Sequence, residues 1–394
     1  MSNIYASTYQ GFDYADIDSL LTEEQKNIRS SVRTWLNKEV IPHIEDWNQA
    51  CTSPKDLMAS LGKLGCLGTM IPSEYGGGGT DAITYGLVMQ ELERADSAIR
   101  SSASVQSSLV MLPIYKFGSE EQREKYLPLL GSGKWIGSFG LTEPNHGSDP
   151  KSMETRLKKT SGGYLLNGSK MWITNSPICD LAVVWAKDEE EHVLGVIVER
   201  DMDGLTTPTI NEKWSLRASL TGELVFQDVF IPQSHVLPHA KGLKAPLSCL
   251  TSARYGISWG VIGAAMDCLH AAIAYSKERK QFDKPLASFQ LTQKKLAEMI
   301  TEITKAQLLS FRVGQLINEK KATPAQVSMA KRNNVEIAIQ IAREARQICG
   351  AMGITGAFPM MRHAMNLESV ITYEGTHDVH LLITGMDLTG FNAF

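Results

Sequence analysis

The spacing of apolar residues changes twice along this chain of 394 residues. From about residue 20 to residue 135 the period is helical. Leu21-Thr22-Glu23-Glu24-Gln25 reads as a helix start, with Thr22 as the cap and Gln25 returning the hydrogen bond from three residues on. Ser119-Glu120-Glu121-Gln122 repeats that signature. Between them, Gly76-Gly77-Gly78-Gly79, just after Pro72, reads as a flexible loop. From 136 to 240 the period shortens. Asn167-Gly168 within 164–169 is a strong hairpin signal. The runs 181–185 and 193–198 read as strands around an acidic turn at 188–191, and 224–226 and 229–231 continue the pattern. After Pro238 the helical period returns. Ala338, Ile341, Ala342, Ala345 and Ile348 share one face, as do Leu296, Met299, Ile300 and Ile303, which predicts long amphipathic helices that bundle. The organisation expected is α+β: a helical domain over 1–135, a β domain over 136–240 and a helical bundle over 241–394.

Composition narrows the classes. Hydrophobic residues make up 43% and charged residues 21%, as in ordinary globular proteins, and the length calls for two or three domains. A net charge of −4 and a pI near 6.2 leave no basic excess for duplex nucleic acid. The six cysteines are scattered with no CxxC pair, which predicts reduced thiols rather than a disulfide frame or a zinc ribbon. Residues 1–24 lack Lys and Arg, so they read as neither a secretory signal nor a transit peptide, and the C-terminus is not a peroxisomal address. The location expected is the cytoplasm, or the mitochondrial matrix after processing. Residues 255–275 are apolar enough to raise a membrane span. Asp267, His270 and many small residues argue instead for a buried, tightly packed helix.

Candidate chemistry centres on Thr372-Tyr373-Glu374-Gly375-Thr376-His377-Asp378. A carboxylate that abstracts a proton from a thioester needs little water, a close backbone and donors for the enolate oxygen. Glu374 supplies the carboxylate, and Gly375 allows the close approach. Four more stretches occur in order: 139–149, from Phe139 through Leu141-Thr142-Glu143 to Gly147-Ser148-Asp149; Trp172-Ile173-Thr174-Asn175; 279–286 with Phe289-Gln290; and Gln347-Ile348-Cys349-Gly350-Ala351. In order and spacing these five motifs resemble the acyl-CoA dehydrogenase family, over nearly the whole chain. The resemblance implies an N-terminal helical domain, a central β-barrel and a C-terminal four-helix bundle, with FAD between the last two, a homotetramer, and an electron-transfer flavoprotein as acceptor. It assigns the cofactor to Phe139, Leu141, Thr142, Gly147, Ser148, Trp172, Ile173, Thr174, Arg279, Phe282, Gln290, Gln347, Gly350, Ala351, Thr376 and Asp378. Arg279 would act from a neighbouring subunit, and Ser148 would also lie near the phosphate arm of the acyl-CoA. His146 departs from the small residue common at its position.

Three stretches resemble the glutaryl-CoA dehydrogenase branch in particular: 91–109, Ala253-Arg254-Tyr255-Gly256, and 362–368. A glutaryl chain ends in a second carboxylate, which is costly to bury unpaired. Arg100 can bind it bidentately and Ser104 can add a hydrogen bond. On one continuous helix, Glu93, Ser97, Arg100 and Ser104 would share a face and Glu93 could orient Arg100; the alternative is a solvated helix face with an incidental ion pair. Substrate contacts are therefore expected at Glu93, Arg100, Ser101, Ser104, Ser148, Leu247, Arg254, Tyr373 and Gly375, with Glu374 as catalytic base. The activity implied is oxidation and decarboxylation of glutaryl-CoA to crotonyl-CoA and CO2. The alternatives weighed are a short-chain acyl-CoA dehydrogenase or oxidase that does not decarboxylate, a DNA-binding relative and a non-catalytic scaffold. The run His377-Asp378-Val379-His380 is not read as a metal site.

Overall fold

The computed structural model describes residues 9–54 and 56–394, so part of the leader reading lies outside the described residues. The first third is helical: α1 (Glu23–Glu39), α2 (Ile44–Ala50), α3 (Leu57–Lys63), α4 (Ala82–Ala95), α5 (Ser97–Ser104), a π-helical segment Val105–Met111, α6 (Leu112–Phe117) and α7 (Glu120–Gly131). Both expected starts are reciprocal capping boxes, Thr22 with Gln25 and Ser119 with Gln122. Each satisfies two N–H groups that a first helical turn leaves unpaired.

The four-glycine run is a packed turn rather than a flexible loop. The N–H groups of Gly77, Gly78 and Gly79 donate to the carbonyls of Pro72, Gly68 and Ile71. A Cβ on Gly77 would sit 2.1 Å from the Ile71 oxygen, so only glycine lets the two backbones meet.

Seven strands form a curled central sheet: β1 (Gly137–Gly140), β2 (Arg156–Thr160), β3 (Gly163–Thr174), β4 (Leu181–Lys187), β5 (Val193–Glu199), β6 (Leu205–Thr206) and β7 (Thr221–Pro232). The order is β1-β4-β2-β3-β7-β6, with β5 on β4. The two runs read at 224–226 and 229–231 belong to one strand. Asn167-Gly168 is not a hairpin turn either. The β2–β3 reversal falls at Ser161-Gly162, while Asn167-Gly168 is a bulge inside β3. Gly168 takes φ 134°, and the Asn167 side chain pairs across with Asp228 through two 2.9 Å hydrogen bonds. The local turn preference is spent on bending a long strand.

The remainder is α8 (Lys244–Glu278), a small hairpin of β8 (Lys280–Gln281) and β9 (Lys284–Pro285), α9 (Gln290–Asn318), α10 (Pro324–Ile348), α11 (Met360–Val370) and α12 (His377–Thr389). Helix α8 is long and apolar enough to cross a membrane, but 78% of its most apolar window is buried within the protein. It packs against α4 through a seam of glycines. A Cβ on Gly263 would lie 1.9 Å from the Gln90 oxygen, one on Gly260 would lie 2.1 Å from Glu93 Oε2, and one on Gly256 would lie 2.5 Å from Tyr85 Oη.

Candidate active site

The loop between α11 and α12 carries Glu374 in the left-handed region, φ 55°, with Gly375 at φ 96°. A non-glycine residue held there is strained by roughly 1–3 kcal/mol and persists only where its surroundings fix it. They do so here. Arg254 Nε donates to the Glu374 carbonyl at 2.7 Å, and Lys331 Nζ donates to the Tyr373 and Gly375 carbonyls at 2.9 and 2.8 Å. Thr376 caps α12 by accepting the Val379 N–H at 3.3 Å. Burial pushes the Glu374 carboxyl above its usual range, and the charges of Arg100, Lys331 and Arg254 oppose that rise. Glu374 Oε2 is buried without a hydrogen-bond partner.

Arg100 and Glu93 do not share one helix. Asp96 takes φ −169°, ends α4 and caps α5 by accepting the Ala98 N–H at 2.7 Å. Glu93 reaches across this break to Arg100 Nε at 2.7 Å, with both side chains fully buried, so the solvated helix face is excluded. Arg362 Nη1 and Asn366 Nδ2, from α11, hold the other Asp96 oxygen at 2.6 and 2.9 Å. Arg100 Nη2 donates to the Tyr373 hydroxyl, one residue before Glu374. Burial works against the arginine's charge, but Glu93 and Tyr373 outweigh it and its pKa is raised. Arg100 Nη1 and Glu93 Oε1 remain buried and unpartnered. With Glu374 Oε2, three buried polar atoms in one electrostatically coupled group are unsatisfied, which is what a polar ligand would complete. Ser101 and Ser104 are buried beside Arg100 on α5, and the Tyr85 hydroxyl lies 3.3 Å from Ser104 Oγ and 2.9 Å from Ser108 Oγ. Leu247 is half-buried on α8, two turns before Arg254.

The residues assigned to the cofactor fall into two sets. The first lies on the sheet. The Met171 N–H donates to the Thr142 carbonyl at 2.9 Å, joining the loop after β1 to β3. Beside that link Trp172 bulges out at φ 62°, an indole 56% exposed, between buried Ile173 and the β3–β7 register shift. Thr142 and Thr174 are half-buried. Phe139, Leu141 and Ile173 are core side chains, so only their backbone is available to a ligand. Gly147 and Ser148 are exposed on the next loop, where His146 Nε2 lies 3.1 Å from Glu154 Oε1.

The second set gathers at one end of the helical bundle. Arg279 follows α8, Phe282 forms the β8–β9 turn, Gln290 begins α9, and Gln347, Gly350 and Ala351 lie at the end of α10. Lys295 of α9 bonds the Gln347 side chain. Arg279 lies 25 residues beyond Arg254, roughly 37 Å along the helix rise. One chain therefore does not bring this set to the Glu374 loop. Asp378 is exposed in the first turn of α12. Among the described residues, no group of three or more His, Cys, Asp and Glu side chains is arranged to hold a metal.

Sequence reasoning missed Lys331, Tyr85 and the Asp96–Arg362–Asn366 anchor. Arg362 and Asn366 stood in a motif noted only for its resemblance. Nothing local marks Lys331, which sits among Arg332, Asn333 and Asn334 and reads as a polar helix face.

The chain matches the sequence profiles of the acyl-CoA dehydrogenase N-terminal domain over residues 22–134, the middle domain over 138–229 and the C-terminal domain over 240–389. It is similar to a crystal structure of glutaryl-CoA dehydrogenase from Mycobacterium smegmatis, at 50% identity and TM-score 0.94, covering 96% of this chain and 97% of that one. A second structure of a glutaryl-CoA dehydrogenase from that organism, in complex with FADH2, gives 47% identity and TM-score 0.96 over 98% and 100% of the two chains. A probable acyl-CoA dehydrogenase of Bacillus subtilis, YngJ, is 35% identical over 93% of this chain and 98% of its own.

Proposed function

Because the chain belongs to the acyl-CoA dehydrogenase family, we propose that it oxidises glutaryl-CoA with FAD and releases CO2 to give crotonyl-CoA. The observation that carries the reading is Arg100. It is fully buried, oriented by Glu93, tied to Tyr373 next to the base, and left with a free Nη1. A buried guanidinium with a vacant N–H is suited to a carboxylate, and an uncharged acyl chain would leave it unmatched.

The donors present fit a flavin: Thr142 and the exposed Trp172 lie where the loop after β1 joins β3, and Thr174 ends that strand two residues on. Thr142, Thr174 and Trp172 would hold the ring, while Arg279, Gln290 and Gln347 of a second copy would hold the far end. FAD, when bound, would supply the acceptor for the β-hydride, with an electron-transfer flavoprotein as the proposed onward acceptor of the electrons. The exposed Phe282, Leu291 and Ile354 near that end of the bundle support assembly, here taken as a homotetramer.

The chain's own residues do the rest. Arg100 and Ser104 bind the distal carboxylate and fix the acyl chain. Glu374 takes the α-proton, and the Glu374 backbone N–H is offered to the thioester oxygen as charge develops there. A donor of this kind is typically worth about 2.7–4 kcal/mol in the transition state. Once the enoyl thioester has formed, its carboxylate is vinylogous to the thioester and CO2 can leave. Protonated Glu374 then returns its proton to carbon. Burial favours that protonated form, so the one group serves first as base and then as acid.

The test is to mix the FAD-loaded protein with glutaryl-CoA and a dye acceptor and to weigh the acyl-CoA products. Crotonyl-CoA is the expected product. Glutaconyl-CoA alone would remove the decarboxylation step. Turnover of butyryl-CoA but not glutaryl-CoA would overturn the role of Arg100 and leave a short-chain dehydrogenase.

A further inference from the structure

Lys331 is a lysine that the chemistry above does not use. It is fully buried on α10, and its Nζ is spent on two backbone carbonyls, those of Tyr373 and Gly375. Those carbonyls flank that of Glu374, so Lys331 grips the peptide just before the strained residue and the one just after Gly375. The third contact is Arg254, on the carbonyl of Glu374 itself. Three successive carbonyls of one short loop are thus held by two cations from two helices, α8 and α10. A buried lysine without a salt-bridged carboxylate is unfavourable unless something nearby compensates its charge. Burial pushes the Lys331 ammonium down to about 7, and the Glu374 carboxylate is the charge that opposes that fall.

We propose that Lys331 is the positioning residue of the base: it locks the Tyr373-Glu374-Gly375 backbone in its left-handed turn and adds a positive charge that acts on the Glu374 carboxyl. This rests on the reading of Glu374 as the base. Release of the two carbonyls would let φ of Glu374 relax toward ordinary values and swing the carboxylate away from the acyl chain. Loss of the ammonium would leave Glu374 harder to ionise, because burial already pushes its carboxyl up and Lys331 is one of the charges restraining that rise.

Other groups face the same carboxyl. Arg100 of α5 and Arg254 of α8 act in the same direction as Lys331, and Glu93 of α4 opposes them. Tyr373 and Tyr85 are held neutral by burial. From α12, burial pushes His380 down to about 2 and lowers His377, which lies 3.2 Å from Glu336 of α10. Burial disfavours the charged form of both histidines, and both arginines stay charged throughout. Lys331 is therefore the cation that can be removed without emptying the substrate-carboxylate site.

The experiment compares wild type with Lys331→Met and Lys331→Arg as FAD-loaded proteins. It follows anaerobic flavin reduction by glutaryl-CoA against pH. It also follows, without turnover, the infrared band of the buried carboxylic acid that Glu374→Gln removes. In Lys331→Met the acid limb of kcat/KM and the infrared titration move up together by about 1 pH unit or more, within the roughly 1–3 units typical of a nearby opposite charge. Below that limb the rate falls about tenfold per pH unit, as for any base that must first be deprotonated. Lys331→Arg keeps the charge and restores the midpoint. If Lys331→Met does not fold, Lys331→Gln removes the charge while keeping a donor and carries the same comparison. An unchanged midpoint in either neutral variant overturns the proposal. Normal flavin reduction in Glu374→Gln overturns the base assignment itself, and a wild-type titration is not needed to see it.

Discussion

Two short turns of this molecule force non-glycine residues into the left-handed region, and they are maintained in opposite ways. In the β8–β9 hairpin, Phe282 and Asp283 have φ 53° and 63°. A two-residue hairpin asks for positive φ at both central positions, so strand pairing itself supplies the geometry. The Phe282 ring is 87% exposed. In the 371–376 loop, no ladder imposes φ 55° on Glu374. The buried cations Arg254 and Lys331 do so, and the strained residue is the one proposed as the base. The first turn is cheap and external. The second is an over-determined interior, with the strain placed at the proposed base.

Substitutions separate the two. The largest effect is expected from Arg100→Gln, which leaves Glu93 buried without its partner. Breaking such a pair typically destabilises by about 3–5 kcal/mol. Thermal unfolding should report that loss, and the KM for glutaryl-CoA should rise far more than that for butyryl-CoA. Equal changes for both substrates would detach Arg100 from selectivity. Next is Gly375→Ala. The new Cβ would lie 2.9 Å from His380 Nε2 at φ 96°, so a stability loss of roughly 1–3 kcal/mol should accompany a fall in kcat. An unperturbed melting curve would show that the loop is less constrained than its contacts imply. The smallest effect is expected from Asp283→Gly, which relieves positive φ on an exposed turn. Its unfolding midpoint in denaturant should stay within about 0.5 kcal/mol of wild type. A large loss there would mean that the hairpin, too, is held by something other than its own pairing.

The same contrast explains what could be read from sequence. Caps such as Thr22 and Ser119 are local, and both form as the four-residue signature says. The long apolar periods are nearly local, and they place α8, α9 and α10. Asn167-Gly168 failed as a hairpin because its partner, Asp228, lies 61 residues on, and pairing with it turns a turn signal into a bulge. Arg100 was visible through resemblance. Its pairing with Glu93 was legible too, but the helix break across which they meet was not, because the anchors of that break, Arg362 and Asn366, come from α11. Lys331 had no signal at all. Its role exists only after α10 has packed beneath a loop more than 40 residues away.

The glycine seam between α4 and α8 bears on how a protein of this kind can change over generations. Gly256, Gly260 and Gly263 place α8 directly behind Tyr85, Glu93 and the Gln90 carbonyl. This tight joint of the scaffold is thus also the back wall of the proposed recognition site. Any side chain gained at 260 would evict the counter-ion of Arg100 before it altered anything else. That wall is closed to gradual exploration. On the proposed reading, variation in which acyl group is accepted would instead enter through the serines of α5, where a hydroxymethyl can be exchanged for a methyl without moving a backbone.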